Sequence, residues 1–340
     1  MSKEYDEFEF EITPLAEEKI YYNFLIYAES GAGKTVLAGS DRRVLFIAPE
    51  RHGVLSALRM GSKADQVKIK HWEHFRKSVD HLQAHPEILA NYDWLVIDSL
   101  SEMEKMLKRA ILEAEAPGRI AKDQDIDQLQ IQDYGKAYQL MENIVYICND
   151  LPINTLYTAL STTKESADGR EFLAPMLGSS DKKKFDLPMK IVSMMTSFGY
   201  MRNETVEKPV PTEENPDAIQ LVRERRIYWD DTGKITAKDR TTRLGPFTTN
   251  ATLQNIRRCA DGTLVRAEDG TIVKPGTPVK ATPKPPAVKV ESVKSGDDKT
   301  SPQADETVNS EAPTPLAGIA EKIEKEAAQP ETKEPETVEA

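Results

Sequence analysis

One octapeptide constrains this chain more than any other feature: Ala28-Glu29-Ser30-Gly31-Ala32-Gly33-Lys34-Thr35. It follows Tyr22-Asn23-Phe24-Leu25-Ile26-Tyr27, an apolar and aromatic run of buried-strand type, and precedes Val36-Leu37-Ala38, which can begin a helix. Strand, glycine-rich loop and helix in that order make up the phosphate-loop pattern, with Ala28 in place of the commoner first glycine. Gly31 and Gly33 let backbone N–H groups turn inward around a phosphate, and the helix opened by Lys34 points its positive end at the same place. Ser30, Gly31, Ala32, Gly33, Lys34 and Thr35 are therefore the expected phosphate-binding residues. Lys34 is placed to reach the β- and γ-phosphates, and the Thr35 hydroxyl to ligate Mg²⁺. The pattern implies that ATP and Mg²⁺ are the ligands.

Two further apolar runs end in acids. Arg43-Val44-Leu45-Phe46-Ile47-Ala48 leads to Pro49-Glu50, and Tyr92-Asp93-Trp94-Leu95-Val96-Ile97 leads to Asp98-Ser99. Runs that are apolar throughout, rather than alternating, belong to a parallel sheet covered by helices on both faces. In such α/β sheets the ligand sits beyond the carboxyl ends of the strands. Glu50 and Asp98 should thus face the phosphate-loop site. Asp98 is the natural Mg²⁺-associated aspartate, or else an acid that merely ends a strand. Glu50 is placed to deprotonate a water attacking the γ-phosphate, or else is a surface loop acid.

The late segment Arg225 to Arg240 reads as a β-hairpin with its turn near Asp231 to Gly233. Lys238 and Arg240, two apart on a strand, point to the same side. Between the two, Asn154-Thr155-Leu156-Tyr157-Thr158-Ala159-Leu160 is another buried strand. It is followed by a long loop from Lys164 to about Phe185. That loop carries Lys164, Arg170 and the triplet Lys182-Lys183-Lys184, which serve either as contacts to a phosphate backbone or as solvated charge. Gly118 to Asp133 is a weaker candidate for the first such loop, being acidic.

The order and spacing of the phosphate loop, Glu50, Asp98, the strand at Asn154 and the Lys238/Arg240 segment resemble a phage-type P-loop ATPase. This group consists of a lone RecA-like core. AAA+ and helicase-type ATPases usually place a second acid directly after the strand-end aspartate, where this chain has Ser99. The resemblance implies a RecA-like α/β core, a mostly parallel sheet with helices on both faces, with Glu50 as catalytic base. It implies a γ-phosphate sensor near Ser161, Thr162 and Thr163, where no glutamine stands. It implies that Lys238 and Arg240 act as a finger on a neighbouring subunit's γ-phosphate, so that the active form is a homo-oligomer, ring or filament. Some members act in single-strand annealing or recombination on single-stranded DNA beside a single-stranded-DNA-binding protein, and that is the leading functional expectation. A helicase or helicase loader, and an NTP-driven switch or small-molecule kinase outside DNA metabolism, are the alternatives.

Composition sets the boundaries. Of 340 residues, none after Phe247 is aromatic, and ten of the 21 prolines fall in the last 66 residues. The expected organisation is an N-terminal extension over 1–20, a core over 21–258, and a disordered acidic tail over 259–340. A short helix around Leu316 to Ala328 is possible in that tail, which either competes for basic loops, recruits a partner or simply solubilises. Net charge is −11, so no overall basic footprint of a nucleic-acid binder is present. Two cysteines, Cys148 and Cys259, with no histidine at ligand spacing, argue against a disulfide scaffold or zinc site. No apolar run approaches the roughly 18–20 residues of a membrane helix, and the acidic start lacks a signal core. The expectation is a cytoplasmic protein, in a host cytoplasm if phage-encoded.

Overall fold

The computed structural model describes residues 18–49, 53–115, 131–166, 168–178, 187–210 and 218–277. In chain order the elements are β1 (Asn23–Ala28), α1 (Lys34–Ala38), β2 (Val44–Ala48), α2 (Leu55–Arg59), β3 (Asp65–Lys68), α3 (Trp72–Ala84), β4 (Trp94–Ile97), α4 (Leu100–Glu115), α5 (Ile131–Asp150), β5 (Asn154–Glu165) and β6 (Glu171–Pro175). They continue as α6 (Leu187–Ser193), β7 (Ser197–Pro209), β8 (Ile219–Tyr228), β9 (Lys238–Asp239), β10 (Phe247–Thr249), α7 (Leu253–Ala260), β11 (Val265–Arg266) and β12 (Ile272–Val273). The N-terminal extension through residue 17, the candidate first loop from Gly118 to residue 130, and the tail from 278 onward, including its expected short helix, lie outside the described residues.

Nearly continuous apolar strands arise here because both faces of the sheet are covered. In β1, Leu25 and Tyr27 join a core with α3, α4 and α5, while Phe24, Ile26 and Ala28 join a second core with α1 and α7. The same alternation splits Leu45 and Ile47 from Val44 and Phe46 on β2, and Leu95 and Ile97 from Trp94 and Val96 on β4. The helices match this burial. Trp72, Phe75, Val79 and Leu82 of α3 recur at helical spacing, as do Leu100, Met103, Leu107 and Ile111 of α4.

The main sheet runs β10-β8-β7-β1-β5-β4-β2-β3. From β3 through β7 all neighbours are parallel; β8 on β7 and β10 on β8 are antiparallel. This is an α/β fold with a mostly parallel, mixed sheet. β5 lies between β1 and β4, so the strand before the phosphate loop and the strand before Asp98 are not neighbours.

Three expectations are corrected. The expected hairpin over 225–240 does not pair with itself. Tyr228 pairs with Tyr200, and Lys238 and Asp239 pair with Phe198 and Ser197, so β8 and β9 line the same edge of β7 end to end. The cause is burial on opposite faces: Trp229 is fully buried in the core that holds α1, while Ile235 joins the core that holds α3 to α5. The late hairpin of this fold is β7–β8. Second, residues 164–175 are not a structureless loop, because β5 extends to Glu165 and pairs antiparallel with β6 as far as Pro175. Third, order does not stop at 258: Cys259, Ala260, Leu264 and Ala267 are buried, and β11–β12 form a small hairpin before Thr277.

Cys148 and Cys259 are both buried free thiols, one in each core and so on opposite sides of the sheet. Burial pushes the Cys148 thiol up to about 12 and the Cys259 thiol to about 11. No helix among the described residues is long and apolar enough to cross a membrane.

Gly199 marks the tightest approach within the sheet. A Cβ there would stand 2.5 Å from the Tyr228 carbonyl oxygen and 2.9 Å from the Trp229 ring. Gly199→Ala should therefore lower stability by about 1–3 kcal/mol, read in urea unfolding as a lower midpoint at unchanged slope.

Candidate nucleotide site

The phosphate loop takes its shape from two left-handed glycines, Gly31 at φ 78° and Gly33 at φ 99°, which let successive N–H groups converge. α1 begins at Lys34 and ends after five residues, where the Gly39 N–H bonds back to Thr35 and Leu37. The loop is tied on its outer side, because Asn203 Nδ2 of β7 donates to the Ala32 carbonyl at 3.3 Å. Ser30 is exposed at its crest. Lys34 lies along the loop, its Nζ donating to the Ala28 and Glu29 carbonyls at 2.9 Å each. Burial pushes the Lys34 ammonium below its ordinary pKa, with Asp98 opposing that shift.

Asp98 stands at the end of β4 and is nearly buried at 7% exposure. Thr35 Oγ1 donates to its Oδ2 at 2.7 Å, and Thr158 Oγ1 donates to its Oδ1. A hydroxyl and a carboxylate in contact form the hard-oxygen pair that Mg²⁺ takes beside phosphate oxygens. The residues present thus fit the ion, and Thr35 and Asp98 would hold it. Among the described residues no group of three or more His, Cys, Asp or Glu side chains could hold a metal by itself.

Thr158 was not legible as a site residue. The sensor position expected from resemblance falls on Ser161, Thr162 and Thr163, which lie in the β5–β6 hairpin opposite Pro175, Ala174 and Leu173. Thr158 sits three residues earlier, on the face that carries Asp98. A polar residue inside an apolar strand is the available signal, but Thr155 gives the same one and bonds instead to Asn23 Oδ1 at 2.7 Å.

The remaining expected residues are scattered. Glu50 and the Lys182-Lys183-Lys184 triplet lie outside the described residues. Lys164 is in β5 opposite Phe172, and Arg170 stands at the turn of the same hairpin, exposed and paired with Asp168. Lys238 and Arg240 are far from this chain's own phosphate loop. Asp239 pairs with Ser197, itself opposite Phe24, which places the segment toward the opposite end of β1. The Arg240 guanidinium donates to the Ser193 carbonyl. Arg225, which the sequence reading assigned only to a strand, lies against Gly33.

A family model described as an AAA domain, AAA_24, matches residues 20–241, about two thirds of the chain. The chain belongs to this AAA-domain family. A comparison with curated proteins gave no match. The matched span of the AAA domain covers the phosphate loop, Asp98 and Thr158 together, so the geometry and the family agree on a P-loop, ATPase-type nucleotide site.

Thr158→Val should leave the AAA domain folded and remove one of the two hydroxyls on Asp98. A hydrogen bond to a charged group is worth about 1.5–3 kcal/mol. Calorimetric titration with ADP should show weaker binding in the presence of Mg²⁺ and little change in EDTA.

Proposed function

We propose that this AAA domain is a Mg²⁺-dependent ATPase with a RecA-like core that acts on single-stranded DNA in recombination or annealing. The observation that carries the reading is the continuity of β5. One strand presents Thr158 to Asp98 and then runs unbroken into the β5–β6 hairpin, which holds Lys164 and Arg170. A change at the γ-phosphate that shifts Asp98 or Thr158 would bear directly on that hairpin. The position of β5 between the phosphate-loop strand and the Asp98 strand supports a RecA-like arrangement.

In this reading Lys34 neutralises the β- and γ-phosphates, and Thr35 and Asp98 hold Mg²⁺, which when bound offsets charge on the phosphate oxygens. Glu50, two residues after β2 in the sequence, takes a proton from the water as its oxygen bonds to the γ-phosphorus. The bond from that phosphorus to the bridging oxygen breaks, leaving ADP and phosphate. Lys182, Lys183 and Lys184 serve as further contacts to a DNA backbone. Lys238 and Arg240, remote from their own loop, serve the site of a neighbouring subunit in a homo-oligomer. A single-stranded-DNA-binding protein is the expected partner.

Lys34→Ala should abolish nucleotide binding, and Glu50→Gln should retain binding while slowing phosphate release by a factor of about 10² or more. Fluorescence anisotropy of a labelled single-stranded oligonucleotide should rise on titration, respond to Mg-ATP and weaken with added salt. A flat titration at low salt in both nucleotide states would remove the DNA role and leave the ATPase.

A further inference from the structure

The β7–β8 ribbon runs past the end of β1 and alongside the phosphate loop, and its two faces treat their cations differently. On one face every cation is neutralised. Arg202 pairs with Glu204, Arg226 with Glu204 and Glu224, and Lys208 with Glu224. The other face continues the side of the sheet that carries α1 and presents Asn203, Arg223 and Arg225. Among the described residues neither Arg223 nor Arg225 has an acidic partner.

Arg225 is held at one end only. Its Nη2 donates to the Ala251 carbonyl at 3.0 Å, and its backbone N–H donates to Asn250 Oδ1 at 2.9 Å. Its Nε is shut off from solvent and has no hydrogen-bond partner. Its Cδ and Nη1 lie 3.7 Å from where a Cβ on Gly33 would be. Burial pushes the guanidinium below its ordinary pKa, as it does the Lys34 ammonium on the same loop. Two partly buried cations flanking one loop, with an unsatisfied N–H between protein surfaces, are costly unless an anion joins them. An open cleft beside Arg225 has a volume of about 610 Å³, with Gly33, Val36 and Met60 on one side and Asn203, Arg223 and Arg225 on the other.

We propose that Arg225 is a nucleotide-binding residue acting within its own subunit, donating to the phosphate chain of the nucleotide held by the loop, with Arg223 as the second cation of the same cleft. The inference rests on the nucleotide-site reading above. A guanidinium is suited to the task because its planar fork can keep the Ala251 carbonyl on one nitrogen while offering others to phosphate oxygens.

The test is calorimetric titration of the full chain with Mg-ADP and with inorganic tripolyphosphate, beside thermal melts without ligand. Arg225→Gln should weaken both ligands by a factor on the order of 10 to 100, the range expected for a lost charge-assisted hydrogen bond. Arg225→Lys keeps the stem and a donor for Ala251, and should fold where the glutamine variant does not. It should show a smaller loss for both ligands and an unchanged melt. Arg223→Gln should weaken both ligands less than Arg225→Gln. If wild type binds ADP and the Arg225 variants match it, the inference falls and the nucleotide site stands. A loss confined to ADP, or a wild type that binds ADP but no tripolyphosphate at millimolar concentration, would overturn the phosphate contact in favour of the nucleoside. A wild type that binds neither ligand would overturn the nucleotide-site reading and this inference with it.

Discussion

A nearly buried carboxylate must find hydrogen-bond donors or forfeit its charge, and Asp98 finds them on two separate elements. Thr35 comes from the first turn after the phosphate loop and Thr158 from the middle of β5. Both contacts need β4, β5 and β1 side by side at fixed heights. The register supplies this, with Trp94 opposite Asn154 and Asn23 opposite Thr155. Asn154 helps to lock that height from below, donating to the Asp93 carbonyl and accepting from the Tyr22 N–H. A slip of one residue in β5 would turn Thr158 into the opposite core and leave Asp98 with a single donor.

The second constraint is the length mismatch between β1 and β7. Their pairing ends at Tyr27 and Tyr200, yet β7 runs on to Pro209 with β8 beside it. Among the described residues no helix covers this two-stranded ribbon, so charge does the work of burial. On one face Arg202, Glu204, Glu224, Arg226 and Lys208 form a chain of ion pairs, and the Arg226 and Arg266 guanidinium groups both lie over the Phe247 ring. Such networks order two strands more effectively than isolated surface pairs. The opposite face spends its polar groups on the phosphate loop, through Asn203 on Ala32 and Arg225 beside Gly33.

α4 links the two halves of the site. It starts two residues after Asp98, and its Ser101 hydroxyl and Glu104 carboxylate are hydrogen-bonded to β5 and to the chain leaving the β5–β6 hairpin. Ser101 Oγ donates to the Met176 carbonyl and accepts from the Leu160 N–H, while Glu104 accepts from the Gly178 N–H. Glu104 is itself buried against Lys108. The hairpin is therefore fastened to the element that follows the strand-end aspartate as well as to Thr158.

What the sequence determined by itself is local. The phosphate loop, the apolar runs that become β1, β2, β4 and the first half of β5, and Asp98 at a strand end are all encoded by neighbours a few residues apart: glycine spacing, apolar runs of strand length and an acid that closes one. The remaining contacts are non-local and arise only in the folded chain. Whether Thr155 or Thr158 meets Asp98 depends on which strands are adjacent, and both residues look alike in sequence. The partner of Lys238 and Asp239 depends on Trp229 and Ile235 being buried in different cores, which a turn signal at Asp231 to Gly233 does not carry. The small elements after Phe247 carry no local signal because their burial comes from docking, with the Leu253 N–H bonded to Ser40 across the fold. The two faces of the β7–β8 ribbon look equally charged in sequence. They separate into a neutralised face and one whose arginines have no acidic partner among the described residues only when pairing across the strands and the nearness of Gly33 are set by the folded chain.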